Sequence, residues 1–355
     1  MKQNLINRIL TAFVLIYCSH SAASDSNAID QTYVFFPFAH AEIRPDVHDN
    51  PELETFEVEL GTDFFYLLNY KKFRVLGELA VTSEEFELER LQIGLDLTTN
   101  QTLWLGRFHT PLGYWNSNYH HGLHLQTSVH RPGIIEFEEK GGALPNHITG
   151  ALLEGQRFTN NGAINYSAAI GYAPTLEHDT LEPYSLEASG NKLHGIIKIG
   201  YQPDETNPSE SGLVIAQSTI THEGELIDQI QQQFVSLYSH QSWEKYRLLG
   251  AAFLVKNTIQ YPSTDDAKAS FAAGYLHGEY DIASQWTVYA RVERSLGSED
   301  DSYLALFEHS ETQRNLGGIR YDVTRRQAIS SEVSQRTGEH DNHTHVSIQW
   351  SAVFP

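Results

Sequence analysis

The chain closes on THVSIQWSAVFP, in which Val346, Ile348 and Trp350 alternate with His345, Ser347, Gln349 and Ser351, and Ala352 and Phe354 carry the apolar series on. Successive side chains of a strand point to opposite faces of its sheet, so a period of two predicts a strand with one apolar and one polar face. The same alternation marks 327–336, 313–323, 286–295, 269–281, 245–256, 229–240, 212–222, 191–202, 163–173 and 148–158, then 102–109, 86–97 and 72–83. Two weaker segments, 31–43 and 54–69, precede them. Most run to about ten or twelve residues, roughly twice the mean soluble strand and close to what a tilted strand needs to cross a bilayer. Repeated strands of this kind can turn their apolar faces toward a protein core or toward lipid.

The connections help decide between the two. Those at DVTRRQ, DIASQW, HQSWEK, FTNNGA, LTTNQT and YKK are tight, whereas 297–312, 257–268, 174–190 and 110–147 are long. A trimmed rim opposite an elaborate one is the asymmetry of an outer-membrane barrel, with short periplasmic turns and long extracellular loops. Aromatic residues near strand ends, among them Tyr280, Trp286, Tyr321, Trp350 and Phe354, also suit interfacial girdles. A secreted soluble β-sandwich or barrel is the competing fold, since its faces alternate too. The expected fold is therefore all-β, a transmembrane antiparallel up-and-down β-barrel of sixteen strands, or fourteen if the first two segments are not strands.

Other classes fall away on composition. Residues 1–23 carry Lys2 and Arg8 before the apolar run Ile9 to Tyr17, then the small Ser21 and Ala23, the pattern of a signal peptide cleaved after Ala23. Cys18 follows the bulky Tyr17, which disfavours a lipoprotein, and the mature chain 24–355 then has no cysteine and no thiol chemistry. Removing Lys2 and Arg8 from the 24 basic residues leaves 22 against 45 acidic ones, a net charge of −23, so nucleic acid is not an expected partner. The longest later apolar runs, 33–39 and 248–255, fall far short of the ~20 residues of a membrane helix. No repeat or linker divides 24–355, which is expected to be one domain.

On the signal peptide, the alternation and the aromatic ending, the chain resembles the Gram-negative outer-membrane porins. The resemblance implies export to the outer membrane, recognition of the last strand by the barrel assembly machinery, contact with lipid and lipopolysaccharide, and a homotrimer. Phe354 is followed by Pro355, a departure from the family's terminal Phe. In porins the third outer loop folds inward, which would make 110–147 the constriction.

That segment contains Tyr114, Trp115, Tyr119, His120, His121, His124, Arg131, Glu136, Glu138, Glu139 and Lys140, with His130 and His147 also in it and His109 just before. Two roles compete for these groups. They could bind a transition metal through His120, His121 and His124 or filter charged solutes; or they hydrogen-bond a long segment to a polar wall. The second is favoured. A further group, His340, His343 and His345, is expected in a short outer loop. Alternation places Arg90, Asp96, Glu154, Lys198, Glu279 and Arg291 on the inner face, together with Glu293, Arg320, Asp322, Glu332 and Arg336. Opposite charges on facing walls would set a transverse field, or they would pair and brace the wall.

A weaker similarity, to phosphate-selective porins, stops at the loop: Arg131 and Lys140 stand against three glutamates, so cations or neutral solutes are the expected cargo. No resident cofactor is expected, although acidic outer loops can meet divalent cations bridging lipopolysaccharide phosphates. No G-x-S-x-G, H-E-x-x-H or C-x-x-C pattern supports an enzyme. The expected function is passive diffusion of small hydrophilic solutes or ions. The alternative is a plugged barrel acting as a surface receptor or metal-binding protein or, on no positive motif, as a barrel enzyme.

Overall fold

A computed structural model describes residues 31–45, 56–83, 86–119, 123–138, 141–183, 192–204, 206–224, 226–298, 301–307, 311–338 and 342–354. The signal-peptide expectation at 1–23, and His120, His121, Glu139, Lys140 and His340, lie outside these residues.

Among these described residues, eighteen strands form one sheet. The first seven are β1 (Gln31–Pro45), β2 (Phe56–Tyr70), β3 (Phe73–Thr82), β4 (Phe86–Thr98), β5 (Gln101–His109), β6 (His147–Thr159) and β7 (Gly162–Tyr172). Two short ones, β8 (Thr175–Glu177) and β9 (Thr180–Glu182), make a hairpin. The rest are β10 (Leu193–Gln202), β11 (Glu210–His222), β12 (Gln229–Ser242), β13 (Tyr246–Gln260), β14 (Ala267–Ala283), β15 (Trp286–Leu296), β16 (Glu311–Thr324), β17 (Gln327–Gly338) and β18 (Asn342–Val353).

Each barrel strand runs antiparallel to the next, and β7 pairs with β10 across the hairpin. The barrel closes where β1 meets β18, from Phe38 opposite Val353 to Ile43 opposite Ile348. Sixteen strands thus form a closed antiparallel barrel, with β8 and β9 additional to it. Closure leaves no sheet edge, which is what lets strands sit in lipid without orphaned backbone groups. No described helix is long and apolar enough to cross a membrane.

The apolar faces point outward: Leu91, Ile93, Ile197, Leu237, Leu276 and Val333 are all exposed. Neighbours show the flip most directly, with Phe253 1% and Leu254 64% exposed on the same strand. Near the tight turns the outward aromatics pair off, Tyr246 stacking on Tyr280 at 4.7 Å and Trp286 meeting Tyr321 at 4.5 Å between ring centroids. Together with the exposed Tyr70, Phe73, Phe158 and Tyr201 they make the girdle expected at a membrane interface.

The interior departs from a simple polar lumen. Along β10–β13 the inner positions are also apolar, with Ile196, Val214, Ile230, Phe234, Phe253 and Val255 buried. They pack in one cluster with Leu112, Trp115 and Leu144 from 110–146, Leu176 and Leu181 from the β8–β9 hairpin, and Tyr303 and Phe307 from the loop after β15. Three outer connections therefore fold inward onto one side of the barrel. The hairpin follows the same logic: three-residue strands cannot stand alone, and Leu176 and Leu181 find burial only in this cluster.

The expected connection 257–268 is shorter than its reading, because β13 continues to Gln260 and β14 begins at Ala267. His343 and His345 lie on β18, with ring centroids 4.5 Å apart, and not in a loop.

Candidate functional site

The candidate site is the barrel interior with the segment that crosses it. After β5, Gly113 adopts φ +137°, a conformation side-chain-bearing residues rarely take, and turns the chain into a single helical turn, α1 (Tyr114–Asn118). Tyr114 stacks on His240 with ring centroids 4.1 Å apart, and Lys198 Nζ donates to Ser117 Oγ at 3.0 Å. His240 stands two residues before the end of β12, so the segment descends to the tight-turn half of the barrel. Burial, with Glu210 and Glu279 nearby, pushes the Tyr114 phenol up to about 12, and burial with Glu279 nearby raises that of Tyr119, keeping both neutral.

From there the chain runs on along β15–β17, where backbone groups are held one after another. Arg320 donates to the carbonyls of His124 and Gln126 at 2.8 and 2.6 Å, and Ser330 Oγ to that of Thr127 at 3.3 Å. Glu332 accepts Val129 N–H at 3.0 Å and meets His130 Nδ1 at 2.7 Å. Arg291 reaches the carbonyls of His130 and Arg131, both at 2.9 Å, and Ser128 Oγ at 3.1 Å. Arg314 adds a bond to the Arg131 carbonyl at 3.0 Å, and Glu293 accepts Gly133 N–H at 2.7 Å. These side chains form a ladder on β15–β17 that replaces the sheet partner an extended segment would otherwise lack.

The return limb is fixed through side chains. Asn116 Nδ2 donates to Asn146 Oδ1 at 2.7 Å, and Arg131 donates to Asn116 Oδ1 while its guanidinium lies 3.9 Å from the Phe137 ring centroid. Glu138, fully buried, accepts the N–H groups of Asn146 and His147 at 2.7 and 3.1 Å and meets His147 Nδ1 at 2.5 Å. Ala143 offers its carbonyl to Tyr303 Oη at 2.7 Å and Gln232 Nε2 at 3.2 Å.

Of the loop residues singled out by sequence, Tyr114, Trp115, Tyr119, His124, Arg131 and Glu138 take part in this packing. Glu136 bonds Phe137 N–H at 3.2 Å. Burial, then the Arg320 guanidinium, hold the His124 imidazole below its ordinary range, so it stays neutral. Among the described residues, His124 joins no metal-ligating cluster; the one three-residue group with that geometry is Glu89, His109 and His147.

The charged inner-face residues pair with neighbours rather than with the facing wall. Arg291 with Glu293 at 2.7 Å, and Arg320 with Asp322 at 2.9 Å, are pairs two residues apart on one strand. Others join adjacent strands: Arg90 with Glu78 at 2.7 Å, Arg247 with Glu279 at 2.5 Å, and Arg336 with Glu311 at 3.0 Å. Lys198 meets Glu210 at 3.4 Å. These pairs brace the wall. On the β3–β6 side, Arg74 and Asp96 pair at 2.8 Å with side chains 37% and 22% exposed, and Glu154 is open to solvent.

No family model matches the chain, and no curated protein matches it. Solved structures do. The anion-selective porin from Comamonas acidovorans aligns with a TM-score of 0.61 at 11% identity, over 91% of this chain and all of that one. In-vitro folded OmpT, an outer membrane protein of Vibrio cholerae, aligns at 0.60 with 9% identity, over 94% and 100%. OmpF of Salmonella typhi, in complex with daunomycin, aligns at 0.58 with 10% identity, over 93% and 100%.

The chain has the porin fold.

Within this porin fold, the interior residues that escaped the sequence reading include charged partners such as Glu78, Arg247 and Arg314, the apolar inner wall, and Glu89. The apolar inner wall was signalled by the unbroken run Leu248–Val255, which lacks the alternation of a strand with one wet face. Glu89 was hidden by a register shift between β3 and β4 next to Glu78 and Leu79, since a bulge breaks the in-out count.

Proposed function

We propose that the protein is a channel of the Gram-negative outer membrane, passing small hydrophilic solutes by passive diffusion through the part of the lumen that 110–146 leaves open. The observation that carries this is the outer face of a closed barrel, with exposed Leu, Ile and Val all round it, while Arg, Glu and Asp line the inner face on β3–β6 and β14–β17. A soluble barrel would bury the first set and expose the second. The inward segment narrows the lumen, and Arg74, Asp96 and Glu154, which keep solvent contact, become the groups a passing solute meets. Diffusion asks for no catalytic group.

On the same proposal, residues 1–23 direct export, the tight turns face the periplasm, the outer loops meet lipopolysaccharide, and the barrel assembles as a homotrimer like other proteins of this fold. A second function, a plugged barrel that serves as a receptor, is favoured by one observation: 110–146, the β8–β9 hairpin and 301–307 share a buried apolar cluster. Planar-bilayer recording on the purified mature chain under a salt gradient separates the two. A steady single-channel current supports the channel, and its reversal potential reads selectivity; silence from a folded, inserted barrel supports the plug.

A further inference from the structure

Where the lumenal segment leaves the wall and rejoins it, three potential ligands converge from three strands. Glu89 lies on β4, His109 is the last residue of β5 and His147 the first of β6. Their side chains are 12%, 5% and 3% exposed. One ligand atom from each lies within 4.8 Å of the other two. Glu89 Oε2 is 2.9 Å from His147 Nε2 and 3.4 Å from His109 Nε2. Ligand atoms about 3.3 Å apart are what a tetrahedral ion with ~2.0–2.1 Å bonds requires.

A second carboxylate stands behind this set. Glu138, fully buried, meets His147 Nδ1, which turns Nε2 toward Glu89 Oε2, 2.9 Å away, the nitrogen that would carry the ion in place of its proton. A histidine oriented through its other nitrogen by a carboxylate is the usual support of a metal-ligating imidazole. Two imidazoles and one carboxylate select a borderline transition ion over magnesium or calcium, which prefer all-oxygen sites.

We propose that Glu89, His109 and His147 bind a zinc-class divalent cation, with water in a fourth position, and that this ion clasps both ends of the lumenal segment to β4. His109 and His147 flank 110–146 directly and already face each other across the β5–β6 ladder. An ion held between them closes the segment at its root. The ligands differ from the His120, His121 and His124 set that spacing alone suggested.

Zinc titration by calorimetry tests this on the full mature chain, folded in detergent and stripped with chelator. One saturable equivalent of Zn²⁺ is expected, lost in His109→Ala and in Glu89→Gln, weakened about 10- to 100-fold in Glu138→Gln, and unchanged in His343→Ala and His120→Ala. The wild-type chain loaded with Co²⁺ should also show the visible absorption of a four-coordinate nitrogen and oxygen site, a readout that needs no variant to fold. Absence of saturable binding by the folded wild-type barrel overturns the proposal. So does binding that persists in Glu89→Gln and His109→Ala, or that disappears with His343 or His120 instead.

Discussion

The two sides of the barrel interior carry the same kinds of charged residue under different conditions. On β15–β17, Arg291, Arg314, Glu293 and Glu332 are buried, and they hydrogen-bond the backbone of residues 129–133. On β3–β6, where Glu78 and Arg90 form a buried pair, Arg74 and Asp96 pair beside solvent and Glu154 is exposed. A charge removed from water must be paired and fully bonded, so the first group is committed to structure. A charge left in water is screened and contributes little stability, which leaves it free to act on what passes. Burial thus separates clamp from filter, and substitutions on the two walls should separate them in measurement.

The clamp should break first at Arg291. Its guanidinium pairs with Glu293, lies 5.4 Å from the Trp115 ring centroid and donates to two carbonyls of the crossing segment. Arg291→Ala leaves Glu293 in a buried site without that partner and should cost about 3–5 kcal/mol. Urea unfolding in lipid vesicles measures the loss, and single-channel recording should show larger, noisier currents as the segment loosens. Unchanged stability and conductance would erase the distinction between the walls.

A slightly smaller effect checks which medium the outer face meets. Leu254 points away from the lumen beside the inward Phe253. Leu254→Arg should cost about 2–4 kcal/mol if it sits near the bilayer midplane. If the same barrel tolerates the change without loss of stability in vesicles, the outer face is not in lipid at that height.

Glu332→Gln is milder, because the amide keeps the shape and one acceptor while losing charge. Val129 N–H and His130 both rely on that carboxylate, and a loss of about 1–3 kcal/mol is expected. Measured by the same unfolding experiment, it should fall between the effects at Arg291 and at the solvent-facing wall.

These contrasts also explain what could be read ahead of the structure. Strands such as β17 and β18 were legible because alternation is local, and each carries its own signal of which face is wet. The inward course of 110–146 was legible only as length and resemblance. Its path depends on contacts such as Arg291 to Arg131, which join residues 160 positions apart and leave no period in the sequence. Glu138 reads in sequence as one of three acids beside a pore, yet in the fold it holds the loop's return to β6. Its replacement by Gln should loosen the segment.

The filter side gives the smallest stability change and the most specific electrical one. Arg74→Gln and Glu154→Gln alter side chains that keep solvent contact, so each should cost no more than about 1 kcal/mol. Their electrical effects should oppose each other. Removing the Arg74 charge leaves Asp96 without its 2.8 Å partner and makes that wall more negative, which moves the reversal potential toward cation preference. Removing the Glu154 charge moves it toward anions. A shift of the same sign in both variants, or none in either, would mean that ions pass elsewhere in the lumen. Opposite shifts at near-native stability would assign selectivity to the wall that the crossing segment leaves uncovered.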